Sequence, residues 1–108
     1  MFTKQTAIEE VKQFLIECQR LPLTIDRAIL FGSVAQDKAN ENSDIDLALF
    51  SDNFGDNILN NIDLIGSVNI HFPDIDVHTY PSSYFKQEGI MIEQIIKTGI
   101  EIKLSAII

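Results

Sequence analysis

The sequence predicts an α+β domain in which helices pack on a mixed sheet of three to five strands. Segments with helical spacing of apolar residues alternate with short strand-like runs along all 108 residues. We find no internal repeat, no low-complexity run and no linker. The length fits one core, so we treat residues 1–108 as a single domain.

The first helix is predicted from Thr3 to Arg20, because apolar residues recur at three- and four-residue steps from Ile8 to Cys18. A start at Thr6 is an alternative, since Thr6 and Glu9 have the spacing of a capping box. Cys18 lies on the apolar stripe, so we interpret it as a small core residue rather than a reactive thiol.

Three strands are predicted from continuous or alternating apolar residues, at residues 25–31, 44–50 and 75–79. Side chains two apart in a strand share one face of the sheet. Asp44 and Asp46 therefore share a face, and so do Asp76 and His78. We expect a lone histidine such as His78 to be structural rather than catalytic.

The remaining segments complete the predicted architecture. Helical spacing and stop signals predict helices from Asn57 to Ser67 and from Ile90 to Lys97, with Ser82 or Ser83 as a cap in the segment between them. The alternation from Ile100 to Leu104 is typical of a short edge strand.

Composition limits the classes of function. The formal charge of −8 disfavours a nucleic-acid partner, which needs a basic surface. No apolar run approaches the roughly 18 residues that a membrane span needs. The single cysteine, Cys18, cannot form an internal disulfide. We therefore expect a cytoplasmic protein that does not enter the membrane.

The stretch from Ile29 to Phe50 carries the candidate chemistry. Gly32 and Ser33 follow a predicted strand and could present backbone N–H groups to an anion. The acidic pair Asp44 and Asp46 begins the next strand, and such carboxylates can hold Mg²⁺. An isolated Asp-x-Asp is more often a solvated strand start, and the residues needed for a P-loop or an EF-hand are missing.

The combined pattern is much more specific than its parts. Phe31-Gly32-Ser33, a polar gap and Ser43-Asp44-Ile45-Asp46-Leu47 resemble the signature of the nucleotidyltransferase superfamily that includes DNA polymerase beta. In that family a third acidic residue lies on a later strand. Asp76 matches this position, and Asp74 is the competing candidate.

The resemblance implies the nucleotidyltransferase fold and transfer of a nucleoside monophosphate from an NTP, usually ATP, to a hydroxyl. Asp44, Asp46 and Asp76 would be the catalytic residues and would hold two Mg²⁺ ions. The nucleotide would be bound by Gly32, Ser33 and Ser43.

The short chain resembles the minimal nucleotidyltransferases, which are typically antitoxins paired with a helical HEPN-domain toxin. Some family members modify that partner on a tyrosine. We therefore expect an antitoxin that transfers AMP to a hydroxyl of its partner protein. The oligomeric state, whether homo- or hetero-oligomeric, stays open.

The chain departs from the family at one place. Relatives commonly read Gly-Ser-x-Ala-Arg-Gly, whereas this chain has Gln36 and Asp37 at the last two positions. This departure and the apolar tail Ala106-Ile107-Ile108 motivate an alternative, an antitoxin with a weak or inactive site that neutralises its partner by forming a complex. Lys38 could supply the missing cation.

Overall fold

The structure is a computed structural model that describes residues 3–40, 44–86 and 90–104. Ser43 and the apolar tail Ala106-Ile107-Ile108 lie outside the described residues.

In the part of the chain that the structure describes, four strands form one mixed sheet, which confirms the predicted fold class. The strands are β1 (Arg27–Phe31), β2 (Ile45–Ser51), β3 (Ile75–Pro81) and β4 (Ile100–Glu101). They lie in the order β3-β2-β1-β4. The two pairs that include β1 are antiparallel, and β2 with β3 is parallel. The two edges of the sheet are therefore β3 and β4.

In the described residues, α-helices and a 3-10 helix connect and cover these strands. They are α1 (Lys4–Cys18), α2 (Gly32–Ala35), α3 (Ile58–Asn69), the 3-10 helix Ser82–Lys86 and α4 (Ile90–Thr98). Within the described parts of the chain, no helix combines the length and apolarity that crossing a bilayer requires.

The cap of α1 decides between the two predicted starts. The Thr6 backbone N–H donates to Thr3 Oγ1 at 3.1 Å, and the Thr3 backbone N–H donates to Thr6 Oγ1 at 2.9 Å. This reciprocal pair is a capping box with threonine in place of the usual glutamate. The start at Thr3 is confirmed, and the alternative start at Thr6 with Glu9 is wrong.

The main core lies between one face of the sheet and helices α1 and α3. Ile45, Leu47 and Leu49 of β2 point to this face and are fully buried. Cys18 is buried in the same cluster, and burial, followed by the nearby Glu17, raises the pKa of its thiol to about 12. Cys18 is thus a core residue, as predicted.

The opposite face of the sheet carries a smaller cluster. Ala48 and Phe50 of β2 pack there with Ile29 of β1 and with Ile92 and Ile95 of α4. Because strand side chains alternate, Asp46 lies on the same face as Ala48. The small cluster therefore lies next to the acidic residues on this face of the sheet.

A buried amide holds the loop before α3. Asn61 is 2% exposed, its side-chain oxygen accepts from the Gly55 N–H at 2.9 Å, and its side-chain nitrogen donates to the Gly55 carbonyl at 2.8 Å. This two-point contact ties the loop to the helix.

We expect Asn61→Ala to lower the free energy of unfolding by about 1–3 kcal/mol, because both contacts are lost at a buried position. Urea denaturation measures the change. The neighbouring exposed Asn60 provides a matched control, and Asn60→Ala should stay within about 0.5 kcal/mol of wild type. Equal effects of the two substitutions would contradict this assignment.

Candidate metal centre

Two acidic residues lie side by side on neighbouring strands. In the parallel pairing of β2 with β3, Asp46 is the register partner of Asp76, and Ala48 is the partner of His78. Residues in register on parallel strands point to the same face of the sheet. Asp46, Asp76 and His78 therefore converge on one side of the sheet.

The imidazole of His78 lies between the two carboxylates. Its Nε2 atom is 3.5 Å from Asp46 Oδ1 and 3.3 Å from Asp76 Oδ2. Nε2 is buried and has hydrogen-bond geometry to neither oxygen, so we treat these as electrostatic contacts. The ring also packs edge-on against Phe31, with 5.0 Å between ring centroids.

Gly32 lies directly against Asp46. The backbone leaves β1 through Gly32 with a φ of 78°, in the left-handed region that favours glycine. A Cβ atom at this position would overlap Asp46 Oδ2. Only glycine both makes this turn without strain and leaves room for the carboxylate.

Partial burial makes the charge of Asp46 unfavourable. Desolvation raises the pKa of Asp46 above its ordinary value, and the attraction of His78 partly offsets this. The neighbouring carboxylates of Asp76 and Asp44 raise the pKa slightly further. A cation bound here would relieve the same penalty.

The structure brings together only part of the predicted acidic set. Asp46 and Asp76 each place a ligand atom in one cluster with His78, and these atoms lie within 4.8 Å of one another. Asp44 is exposed just before β2 and contributes no atom to the cluster. Asp74 is exposed before β3, and its backbone carbonyl accepts from the Ile45 N–H at 2.9 Å.

His78 is the residue of this cluster to which the sequence reasoning gave no chemical role. The available signal was its spacing of two from Asp76, which puts both side chains on one face of β3. The sequence alone did not show that β2 and β3 are parallel neighbours in register. That pairing brings His78 to Asp46 as well.

The two residues that depart from the family pattern lie at the end of α2. Asp37 has a φ of 58°, a conformation for which glycine is the usual choice and aspartate is tolerated. Its carboxylate forms an ion pair of 3.1 Å with Lys4 of α1. Gln36 and Lys38 are exposed.

The donor set fits a divalent cation. Two carboxylate oxygens and one imidazole nitrogen are common metal ligands, and Nε2 is a buried atom without a hydrogen bond that faces the two oxygens. Carboxylates on adjacent strands beside a glycine turn can hold a metal–nucleotide complex.

Comparisons with known proteins identify a family and a fold. The model of the family described as polymerase beta, nucleotidyltransferase matches residues 9–105. The crystal structure of a candidate nucleotidyltransferase from Sulfolobus solfataricus has the same fold, with a TM-score of 0.68 and 14% identity over 91% of this chain and 80% of that one. No curated protein matches the chain.

We expect Gly32→Ala to lower the free energy of unfolding by at least about 1–2 kcal/mol, the cost of a left-handed conformation for a residue with a Cβ. It should also weaken metal binding, because the added Cβ displaces the Asp46 carboxylate. Urea denaturation and metal titration measure the two effects.

Gly66→Ala is the matched control, because a Cβ at this helical position has open space around it. It should stabilise the protein by about 0.5–1 kcal/mol and leave metal binding unchanged. Gly32→Ala with wild-type stability and metal affinity would contradict the role assigned to Gly32.

We expect Asp46→Asn to raise the thermal midpoint in EDTA at neutral pH. Because the pKa of Asp46 is raised in the folded state, the protonated carboxyl group contributes to stability at pH values below its ordinary pKa of 3.8. This contribution is lost as the pH rises through the pKa of the folded state. Asp46→Asn lacks this carboxyl group, so its stability should fall less than that of wild type between about pH 4 and about pH 7. Thermal unfolding across this range measures the difference.

Asp74→Asn is the control, since Asp74 is an exposed carboxylate close by in sequence. It should follow the wild-type profile. Identical pH profiles of wild type and Asp46→Asn in EDTA would show that burial of the Asp46 charge does not cost stability.

Proposed function

The chain belongs to the polymerase beta-like nucleotidyltransferase family, and from this membership and the geometry above we propose that it transfers a nucleoside monophosphate, AMP from ATP, to a hydroxyl of a partner protein. The observation that carries the proposal is the pairing of Asp46 with Asp76 in register, directly beside Gly32. Carboxylates arranged in this way serve metal-assisted phosphoryl chemistry.

The proposed reaction is a single displacement at phosphorus. The acceptor oxygen forms a bond to the α-phosphorus of the NTP, and the bond from that phosphorus to the β-phosphate oxygen breaks. Pyrophosphate leaves with the electron pair of the broken bond. The proton of the hydroxyl passes to Asp76, whose side chain is 58% exposed and thus within reach of an acceptor.

The residues of the chain have separate roles in this proposal. Gly32 and Ser33 hold the triphosphate at the turn after β1, and Ser43 contributes to the same binding. Asp46 and Asp76 would hold the divalent metal ions, with Asp44 just before β2 as the third carboxylate. When bound, the metal ions neutralise charge on the phosphates and favour the charged form of the acceptor oxygen.

The proposed acceptor is a protein, and specifically a helical HEPN-type toxin that this chain neutralises. The α3 surface supports a protein partner, because Ile58, Leu59 and Ile62 are 65%, 72% and 46% exposed. Ile58 and Ile62 also line a groove of about 180 Å³ that includes His78 of β3. A partner bound to this apolar surface would lie along the edge strand β3, which carries Asp76 and His78.

A second candidate is neutralisation by binding alone. Gln36 is neutral where relatives commonly have a cation, which would weaken the hold on the phosphates. The exposed apolar residues of α3 would then be sufficient for function. In this case the partner is blocked by the complex and is not modified.

We expect label to pass from α-labelled ATP to the partner protein in the presence of a divalent cation. Asp46→Asn with Asp76→Asn should reduce the transfer rate by at least about 100-fold, because the charges that hold the metal are removed. The protein encoded by the adjacent gene is tested as the partner, and labelling followed on a gel, with mass spectrometry of the labelled protein, measures the transfer.

Asp74→Asn is the matched control and should retain transfer. Transfer that survives the double substitution would refute the proposed chemistry. If no label is transferred but the double variant still neutralises the partner in cells, neutralisation by binding replaces transfer as the function.

A further inference from the structure

We propose that His78 is itself a ligand of the bound metal through Nε2, and that this nitrogen makes the site favour Mn²⁺, Co²⁺ or Zn²⁺ over Mg²⁺. The inference rests on the carboxylate metal site of the proposed function but does not require that transfer occurs. It concerns which cation the site holds.

The position of Nε2 is the first argument. This atom is shielded from solvent and has no hydrogen bond, although two carboxylate oxygens lie within 3.5 Å of it. A buried polar atom that has electrostatic contacts but no well-formed hydrogen bond is uncommon in folded proteins. A metal ion held jointly with Asp46 and Asp76 would satisfy the lone pair of Nε2.

The spacing of the three ligand atoms is the second argument. Metal–ligand distances of about 2.0–2.2 Å put neighbouring ligand atoms about 2.8–3.6 Å apart in tetrahedral or octahedral sites. The separations of Nε2 from Asp46 Oδ1, 3.5 Å, and from Asp76 Oδ2, 3.3 Å, fall within this range. Both separations from Nε2 are thus those of neighbours in a coordination sphere, and the three ligand atoms lie within 4.8 Å of one another.

The neighbours of His78 keep the ring in this place. Phe31, the register partner of Asp46 on β1, packs edge-on against the imidazole. On β3, Asp76 and His78 point to the same face because they are two residues apart. The imidazole is therefore positioned by β1 and β3, the strands on either side of β2, rather than by a loop.

The choice of metal follows from the chemistry of the donor atoms. Mg²⁺ binds oxygen ligands and retains several waters. Imidazole nitrogen binds more tightly to first-row transition metals, and the affinity of a given site rises from Mn²⁺ to Co²⁺. One nitrogen with two carboxylate oxygens should therefore favour Mn²⁺, Co²⁺ or Zn²⁺.

Metal binding tests this inference without any nucleotide. The full chain is titrated with CoCl₂, MnCl₂ and MgCl₂ by calorimetry, and Co²⁺ binding is also followed by visible absorption. We expect Co²⁺ to bind more tightly than Mg²⁺. His78→Gln should weaken Co²⁺ binding by at least about 10-fold and Mg²⁺ binding by less than about threefold.

His71→Gln is the matched control, because His71 is an exposed histidine in the turn after α3. It should bind every metal as wild type does. If His78→Gln is folded by circular dichroism and binds Co²⁺ as tightly as wild type, the inference is wrong. If His78→Gln binds Co²⁺ as wild type does and the chain transfers a nucleotide, the inference is wrong and the proposed function is retained. If Co²⁺ binding depends on His78 but the chain transfers no nucleotide, the inference is retained and the proposed function is wrong.

A second measurement covers the case in which His78→Gln does not fold. In wild-type protein labelled with ¹⁵N, Zn²⁺ should shift the Nε2 resonance of His78 and leave the ring resonances of His71 in place. If the two rings respond equally, or if neither responds, His78 is not a ligand.

Discussion

The parallel register between β2 and β3 is the constraint on which the candidate site depends. It puts Asp46 beside Asp76, and it does so because the alternate residues of both strands are committed to the core. Ile45 is paired with Ile75 in this register, and both are buried. A register slip of one residue would turn the acidic residues of β3 towards the core and its apolar residues towards the site. Burial of the apolar residues on one face therefore determines which acidic residues meet on the other face.

The same arrangement makes the site unfavourable when no cation is bound. Asp46 is partly buried and faces a second carboxylate, and both effects raise its pKa, burial more than the neighbouring charge. The apolar contacts on the far side of the sheet hold the strands together despite this cost. Carboxylates that the fold holds close together are preorganised to bind a cation, because their side chains need little rearrangement on binding.

Much of the fold could be predicted from the sequence, because apolar spacing records which face of each element is buried. The pattern also led to Gly32, Asp46 and Asp76, since a strand, a tight turn and a second strand are local features. What the sequence did not contain was the pairing of strands distant in the chain. The proximity of His78 to Asp46 is a result of that pairing. The threonine pair that caps α1 was missed for a different reason, since the glutamate at Glu9 offered a more usual partner.

The turn after α2 shows why a departure from a family pattern has to be judged atom by atom. Asp37 adopts a left-handed conformation, which a glycine at this position would adopt more easily, and its charge is paired with Lys4. The turn is thus formed without a glycine at position 37, and the charge of Asp37 is paired within the chain. The remaining difference is the neutral Gln36, which supplies no positive charge to a phosphate. If the chain binds a nucleotide as proposed, the positive charge near the phosphates would come from the bound cation and from the exposed Lys38. The identity of the cation, and hence the imidazole of His78 among its proposed ligands, would then matter more in this chain than in relatives that have an arginine at the turn.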